Sequence, residues 1–112
     1  MVDYGLCGQK VTIYRMGEGG LQRQVAEGCF YAYEDILTRD AAGERLERKF
    51  LLVMPGDEQR VFPGDRIYDG IGPERVQWEQ FLPACVPGLS EAQYARVYSL
   101  NGQICHWEAG RK

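Results

Sequence analysis

Glycine and proline interrupt this sequence so often that most of it forms short extended segments. Between these turn residues, apolar side chains recur at alternate positions. In residues 10–16, KVTIYRM, Val11 and Ile13 share one face of an extended chain. Thr12 and Tyr14 occupy the opposite face. Short strands with closely spaced turn signals, and few stretches with a helical period, indicate an all-β domain.

Three further segments continue the pattern of strands and turns. Residues 17–20, GEGG, predict a turn, because glycine accepts backbone angles that are closed to other residues. Residues 21–33 then predict a strand with a bulge near Gly28. Residues 46–56, LERKFLLVMPG, alternate apolar and charged positions up to a terminal Pro-Gly, and Arg48 is the exception to this alternation.

Three segments allow helical structure as an alternative. Residues 76–81, VQWEQF, are compatible with a strand or with a single helical turn. Residues 33–50 contain helix formers, but Gly43 and the alternation after Leu46 favour a strand, a loop and a second strand. Residues 82–93 are a proline-bearing connection with room for one short helix, which Ser90 would cap. The predicted fold is therefore all-β, a small β-barrel or compact sandwich of roughly six to eight short antiparallel strands.

Length and charge limit the classes of partner. The 112 residues are expected to form a single β-rich domain, 1–112, that buries roughly two-thirds of its unfolded surface. Sixteen acidic and 13 basic residues give a formal net charge of −3. That balance lacks the basic surface that phosphate backbones require, so no sequence-specific nucleic-acid binding is expected.

Export and membrane insertion are not expected either. No apolar run approaches the ~20 residues that span a bilayer, and the first residues lack the apolar core of a signal peptide. The predicted setting is the cytosol, where thiols stay reduced. The four cysteines, Cys7, Cys29, Cys85 and Cys105, are accordingly predicted to be reduced and to be small core side chains.

One stretch, residues 98–110, YSLNGQICHWEAG, combines a turn signal with the single histidine of the chain. Asn101-Gly102 between strand-forming residues predicts a hairpin with a two-residue type I′ turn. In a regular hairpin Tyr98 would face Cys105, and the next pair would include His106. Because successive strand residues point to opposite faces, Cys105 and His106 are predicted to diverge rather than form a catalytic pair.

Catalytic and metal sites are not predicted. His106 is expected to be an exposed or hydrogen-bonded strand residue. A zinc site needs four ligands, usually in two closely spaced pairs, and this sequence contains no such pair. Asp57, Asp65 and Asp69 follow turn residues and are expected to stabilise turns rather than bind a metal ion. We therefore predict no catalytic residue, no cofactor, no metal ligand and no enzymatic activity.

The motifs follow one another in a recognisable order. The order begins with VTIYRM, a glycine turn and VAEGCFYAY. These are followed by a charged loop, a strand that ends in LLVMPG, the element FPGDRIYDGIGP and a terminal HWEAG. This order resembles the small head–tail connector, or minor capsid, proteins of tailed phages and prophages, in particular the stopper or head-completion type. The resemblance spans most of the chain, which departs from the stopper pattern in a longer and more apolar tail from residue 82.

The resemblance implies a small β-barrel without enzymatic activity that assembles into a ring between the portal-adaptor complex and the tail. It implies that the partners are other virion head–tail proteins and that the protein forms a homo-oligomer on assembly. The implied location is the host cytoplasm during assembly and then the virion. The resembled proteins carry a mobile loop between two central strands that reaches into the DNA channel. The matching residues, a candidate channel or interface loop, are Thr38, Arg39, Asp40, Ala41, Ala42, Gly43, Glu44 and Arg45. An ordinary solvated hairpin loop is the alternative for this segment.

A second class of function stays open on the residues alone. A small cytosolic β-barrel can serve as a binding module that takes a peptide or small ligand in its mouth. If the chain is instead an assembly protein, we expect it to self-associate weakly alone and to form a ring only on its partner. Open strand edges offer the surfaces for such ring contacts.

Overall fold

Seven antiparallel strands form one curled sheet in the described part of the chain. The structure, a computed structural model, describes residues 5, 7–41 and 43–111, without the side chains of residues 36, 38, 40 and 45–47. The strands are β1 (Gln9–Gly17), β2 (Gly20–Asp40), β3 (Gly43–Pro55), β4 (Arg66–Asp69), β5 (Leu89–Glu91), β6 (Tyr94–Leu100) and β7 (Gln103–Gly110). Their order in the sheet is β5-β4-β1-β2-β3-β7-β6. The curl makes a half-barrel, which confirms the all-β prediction.

A bulge near Gly28 allows one long strand, β2, to serve both halves of the sheet. Gln9 of β1 faces Cys29. Two residues further along β1, Val11 faces Ala26, so β2 carries one extra residue between the two pairs. Gly28 has a φ of 69°, which glycine adopts without the steric cost that other residues incur. The predicted bulge is confirmed, and it keeps both Ala26 and Cys29 on the buried face.

Strands, rather than a helix, occupy residues 33–50. β2 continues to Asp40 and β3 begins at Gly43, which leaves two residues between them. Ala41 lies in the turn, and Ala42 lies outside the described residues. The segment predicted as an eight-residue loop is therefore mostly paired: Thr38 with Arg45, Arg39 with Glu44, and Asp40 with Gly43.

The β6–β7 hairpin has the predicted turn but a different register beyond it. Asn101 and Gly102 have φ angles of 52° and 79°, the positive values that a type I′ turn requires. The two pairs next to the turn are as predicted, but Tyr98 then faces His106 instead of Cys105. The predicted register was wrong there because β7 carries an extra residue at Cys105, where a bulge interrupts the ladder.

The short helix that residues 82–93 had room for is not formed in the described structure. The Val86 amide donates to the Leu82 carbonyl at 2.9 Å, which closes a single turn that does not continue. Ser90 lies in β5 instead of capping a helix. Its hydroxyl hydrogen-bonds to the Tyr31 hydroxyl across the interior, so this serine helps to close the half-barrel.

The sheet is packed on both faces along β1. Its inner face contributes to the main core, formed by Val11, Ile13, Ala26, Cys29, Tyr31, Phe50, Leu52, Met54, Val61, Ile67, Ala92 and Ala109. On the outer face, Tyr14 meets Phe81 edge to face, with ring centroids 4.7 Å apart, and Leu89 completes this second cluster. Thr12 and Tyr14 are therefore buried as well, because residues 71–86 cover the face that the alternation pattern assigned to them.

Two buried charges fasten loops to the sheet. The Asp65 carboxylate accepts hydrogen bonds from Arg15 Nε and Nη2 at 2.7 and 2.6 Å. It also accepts the Phe62 amide at 2.9 Å, so Asp65 stabilises its turn as predicted and holds that turn against β1. The Arg66 guanidinium lies 3.7 Å from the centre of the Trp78 ring and donates to the Trp78 carbonyl. The segment covering the outer face of β1 is tied down by this contact.

Candidate interaction surface

A two-stranded hairpin projects from the half-barrel. β2 pairs with β1 as far as Cys29, and β3 pairs with β7 from Leu51 onward. Within the described chain, residues 33–40 and 43–50 thus pair with each other and with no third strand. We call these residues the distal hairpin. Because an isolated two-stranded hairpin is marginally stable in water, the contacts at its base decide its orientation.

Arg48 anchors the base of the distal hairpin. Its Nε and Nη2 donate to the two carboxylate oxygens of Asp35 at 2.6 and 3.2 Å. Its Nη1 donates to the carbonyls of Leu89 and Val86 at 2.8 and 3.3 Å, and the side chain is 9% exposed. The guanidinium also lies 5.0 Å from the centre of the Tyr33 ring. The hydrogen bonds from Arg48 hold the pKa of Asp35 below its ordinary value, so that carboxylate stays charged at neutral pH.

Arg48 interrupts the alternation of its strand in the sequence, and no role was predicted for it. Its neighbours at alternate positions, Phe50 and Leu52, are buried on the inner face. A charge among apolar positions needs partners, because burying an unpaired charge is costly. The cross-strand pairing of Arg48 with Asp35 supplies one such partner, and the interrupted alternation was the signal that pointed to it.

The predicted channel or interface loop lies at the end of the distal hairpin. Arg39 Nε lies 2.9 Å from Glu44 Oε1 across the two strands, and both side chains are exposed. Ala41 is exposed in the turn. Residues 38–45 contain two arginines and two acidic residues, so their formal net charge is zero. The residues of this segment whose burial is described, Arg39, Ala41, Gly43 and Glu44, are exposed, and the segment has no excess of either charge.

β6 is an open edge of the sheet. It stands last in the strand order, and in the described chain its only partner strand is β7. Residues 96–100 are exposed, and they include Val97, Tyr98 and Leu100 at 42%, 42% and 43%. An apolar edge strand of this kind offers unpaired N–H and C=O groups to another strand. Open strand edges were predicted from the sequence, but their position was not.

The opposite edge of the sheet is short and covered. β5 has three residues, and Leu89 and Ser90 are fully buried. The Leu89 carbonyl accepts a hydrogen bond from Arg48, so the outer backbone groups of β5 are partly satisfied by a side chain rather than by another strand. The two edges therefore differ, and β6 is the one suited to pairing with another chain.

His106 belongs to a hydrogen-bonded cluster beside the β6 edge. The bulge at Cys105 places His106 opposite Tyr98, and their rings stack with centroids 4.8 Å apart. His106 Nε2 lies 3.0 Å from Glu108 Oε1, and Arg96 Nε lies 3.5 Å from Glu108 Oε2. The Cys105 Sγ instead donates to a backbone carbonyl 3.7 Å away. His106 is thus a hydrogen-bonded strand residue, one of the two environments predicted from the sequence.

The cysteines lie in different environments. Cys29 is fully buried, and burial raises the pKa of its thiol, whereas Cys85 is exposed. Cys7 and Cys105 are half-buried and do not belong to the buried core, and Cys85 lies in a surface turn. The prediction that all four are core side chains is therefore right only for Cys29. Among the described residues there is no disulfide, and no group of three or more His, Cys, Asp and Glu could hold a metal ion. No described helix is long and apolar enough to cross a membrane.

An open cavity of about 280 Å³ lies beside β1 and β2. Its lining includes Ile13, Gln24, Arg60, Phe62 and Arg15. The Arg15 guanidinium lies 4.2 Å from the centre of the Phe62 ring, and its charge is already neutralised within the fold. The volume lies just below the roughly 300–1,000 Å³ of typical small-molecule sites, so the cavity has room for a small ligand at most.

No family model, curated protein or solved structure is significantly similar to this chain. A functional assignment therefore rests on the motifs of the chain and on its own geometry. The two features that stand out geometrically are the distal hairpin, with Arg48 at its base, and the exposed edge of β6.

Proposed function

We propose that this protein is a structural component of a tailed phage or prophage virion, a head–tail connector or minor capsid protein that assembles into a ring. The observation that carries the proposal is the distal hairpin, a two-stranded extension anchored to a small half-barrel by Arg48. In the proteins that the motifs resemble, the loop between two central strands reaches the DNA channel. Here β2 and β3 are neighbouring inner strands of the sheet, and residues 38–45 lie where they meet.

The charge of the hairpin end suits contact with DNA without tight binding. Proteins that neutralise many phosphates with lysine and arginine bind DNA strongly and in a salt-dependent way. Residues 38–45 have no net formal charge, and Arg39 is paired with Glu44. The whole chain carries a formal net charge of −3. Without an excess of positive charge, the hairpin end would let DNA slide through a channel without holding it.

In this proposal the protein has no catalytic role, cofactor or metal ion. Its partners are other virion head–tail proteins and further copies of itself, and it stays in the host cytoplasm until it enters the virion. The buried charged groups Asp65 and Arg66 and the half-buried Arg48 fit a structural protein, because each is used to fasten one part of the fold to another. Among the described residues, every buried side-chain nitrogen or oxygen has a hydrogen-bond partner.

Shortening the distal hairpin tests the proposal. Deleting residues 38, 39, 44 and 45 together removes two cross-strand pairs and leaves residues 40–43 to connect the strands. Because the side-chain period of a strand is two, the remaining side chains keep their faces. In complementation of the parent phage we expect a loss of infectious particles, with the melting temperature of the purified protein nearly unchanged.

The matched control exchanges the exposed pair, Arg39→Glu with Glu44→Arg, which keeps the hairpin at full length and the pair intact. This control is expected to support normal infectivity. Full infectivity of the shortened variant would contradict a role of the hairpin in the channel. A much lower melting temperature of the shortened variant would show instead that the hairpin end supports the fold.

The alternative function is a small cytosolic binding module, and the cavity beside β1 and β2 is the observation that favours it. The neighbouring genes separate the two functions. Portal, terminase, capsid and tail-tube genes on either side would support virion assembly. Metabolic genes there would favour the binding module, whose ligand would then be sought by titration of the protein and of an Arg60→Ala variant.

A further inference from the structure

Among the described strands, both sides of the distal hairpin are open strand edges besides that of β6. The β1 partner of β2 ends at Cys29, and the Tyr31 amide bonds to the Gln9 side chain. From residue 32 onward, the corresponding side of β2 has no partner strand among the described residues. The open edge of β2 and the edge of β6 lie far apart in the fold. They can therefore pair with each other only between two copies of the chain. Here β3 and β7 stand between β2 and β6.

The charges of these two edges are complementary. β6, YARVYSL, carries one arginine and no acidic residue. Residues 33–40 of β2, YEDILTRD, carry three acidic residues against one arginine. Residues 43–50 of β3, GERLERKF, carry three basic residues against two acidic ones. The cationic edge of β6 therefore matches β2 rather than β3.

Sheet faces select a register for this pairing. Arg96 faces Glu108, Glu108 faces Val53, and Val53 faces Phe30, so these residues lie in one row on the outer face. Glu34 lies four residues beyond Phe30 on β2 and thus on the same face. An antiparallel register that places Arg96 opposite Glu34 brings opposite charges together on the outer face.

The same register brings two exposed apolar side chains together on the inner face. It places Val97 opposite Tyr33, and these residues are 42% and 43% exposed. Pairs of an aromatic and a β-branched side chain stabilise antiparallel strands. The register leaves Asp35 with Arg48 inside its own chain, so it requires no rearrangement at the base of the distal hairpin.

We propose that residues 94–98 of one copy pair antiparallel with residues 32–36 of a second copy, so that the sheet continues from β6 of one protomer into β2 of the next. This contact is heterologous, because each protomer uses a different edge, and repeated contacts of this kind generate rings or filaments. The inference rests on the proposed assembly function and specifies the contact between subunits of the ring.

Disulfide trapping between two singly substituted proteins tests the contact. One protein carries Val97→Cys, the other carries Tyr33→Cys, and both carry Cys7→Ser, Cys85→Ser and Cys105→Ser to remove the native thiols that are not buried. Directly opposed strand residues have Cβ atoms about 4.5–5.5 Å apart, close to the separation that a disulfide needs. On mild oxidation of the mixture we expect a covalent heterodimer that neither protein forms with itself.

Leu37→Cys provides the matched control for Tyr33→Cys. Leu37 is exposed and lies on the same strand and face as Tyr33, but about 13 Å further toward the turn. Leu37→Cys should form roughly tenfold less heterodimer with Val97→Cys than Tyr33→Cys does, because its thiol lies too far from the partner thiol. Equal yields for the two partners, or no heterodimer at the highest soluble concentration, would overturn the proposal.

An exchange of charge gives an independent test. Arg96→Glu and Glu34→Arg should each weaken self-association roughly fivefold, since a favourable cross-strand pair becomes a like-charge one. The doubly substituted protein should associate within about twofold of the unaltered protein, because the opposite charges meet again with their signs reversed. Sedimentation equilibrium measures these changes, and melting curves verify that each variant is folded. Unchanged association in both single variants would overturn the proposed register.

The outcomes separate this inference from the proposed function. Suppose that both single charge variants form infectious particles at normal yield, while the shortened hairpin causes a loss of particles. That result would support the virion role and overturn the edge contact. If the heterodimer is trapped but the neighbouring genes are metabolic, the edge contact would be supported and the virion role overturned.

Discussion

Arginine side chains fasten irregular segments to this sheet at several points. Arg15 binds Asp65, Arg66 binds the Trp78 carbonyl, and Arg48 binds a carboxylate and two carbonyls at once. A guanidinium presents five donors in a fixed plane, so one side chain can satisfy oxygens from several directions. Lysine, a compact point charge on a flexible stem, is not equivalent at such a site.

Replacement of Arg48 by alanine is expected to lower the free energy of unfolding by about 2 kcal/mol, because the buried Leu89 carbonyl loses its donor. Asp35→Asn removes only the exposed partner and should cost less. Urea denaturation of both variants measures the difference. Equal losses would mean that the ion pair, rather than the bonds to the backbone, anchors the distal hairpin.

Tyr31 should make the protein sensitive to alkaline pH. Burial raises the pKa of Tyr31 to about 12, from an ordinary value of 10.0. Between these values the unfolded chain releases the proton while the folded chain retains it, so stability is full below pH 10 and falls as the pH rises toward 12. From pH 8 to pH 11 the unaltered protein should lose about 1 kcal/mol more than Tyr31→Phe. Parallel losses in urea denaturation would contradict this.

Gly72 leaves room for the hydroxyl of Tyr14. A Cβ at this position would overlap that hydroxyl, which donates to the Pro73 carbonyl at 2.6 Å. Gly72→Ala is therefore expected to destabilise the protein by about 2 kcal/mol. Gly19→Ala, whose Cβ would meet no atom within 4 Å, is the control and should be nearly neutral in thermal denaturation. A neutral Gly72→Ala would show that residues 70–73 can move away from Tyr14 at little cost.

Among the elements, the bulge of β7 determines which residues face each other. Deleting Cys105 should remove the bulge and leave Tyr98 opposite His106, so we expect stability to change by less than about 1 kcal/mol. Deleting Trp107 instead shifts the end of β7 by one residue. That shift would turn Ala109 out of the core, where it is fully buried, and should prevent folding. Circular dichroism and melting curves of the two deletions distinguish these outcomes.

Alternation in the sequence located the strands but not everything that contacts them. The bulge at Gly28 was predictable because a glycine interrupts an otherwise regular strand, whereas Cys105 fits a strand as well as its neighbours and gives no such sign. Ser90 is as suitable for a helix cap as for a strand, and a distant hydroxyl, that of Tyr31, decides between the two. Tyr14 is buried by residues far away in the chain, which no local pattern reveals.

The molecule as a whole combines an exposed apolar edge with an acidic balance. Apolar edge strands promote association, while net charge of one sign opposes it. If the proposed virion role is right, we expect the purified protein to be mainly monomeric at micromolar concentration and to form a ring when a portal-type partner is added. Light scattering with and without the partner measures this. A stable ring in the absence of the partner would contradict the prediction.

The uninterrupted course of β2 has a mechanical consequence. One strand of 21 residues runs from beside β1, through the bulge at Gly28, to the end of the distal hairpin. A force applied at the hairpin end is thus transmitted along the strand and loads the β1–β2 hydrogen bonds in shear, where they resist together instead of opening one after another. A pull on the end of the distal hairpin would therefore reach the body of the protein along one continuous strand.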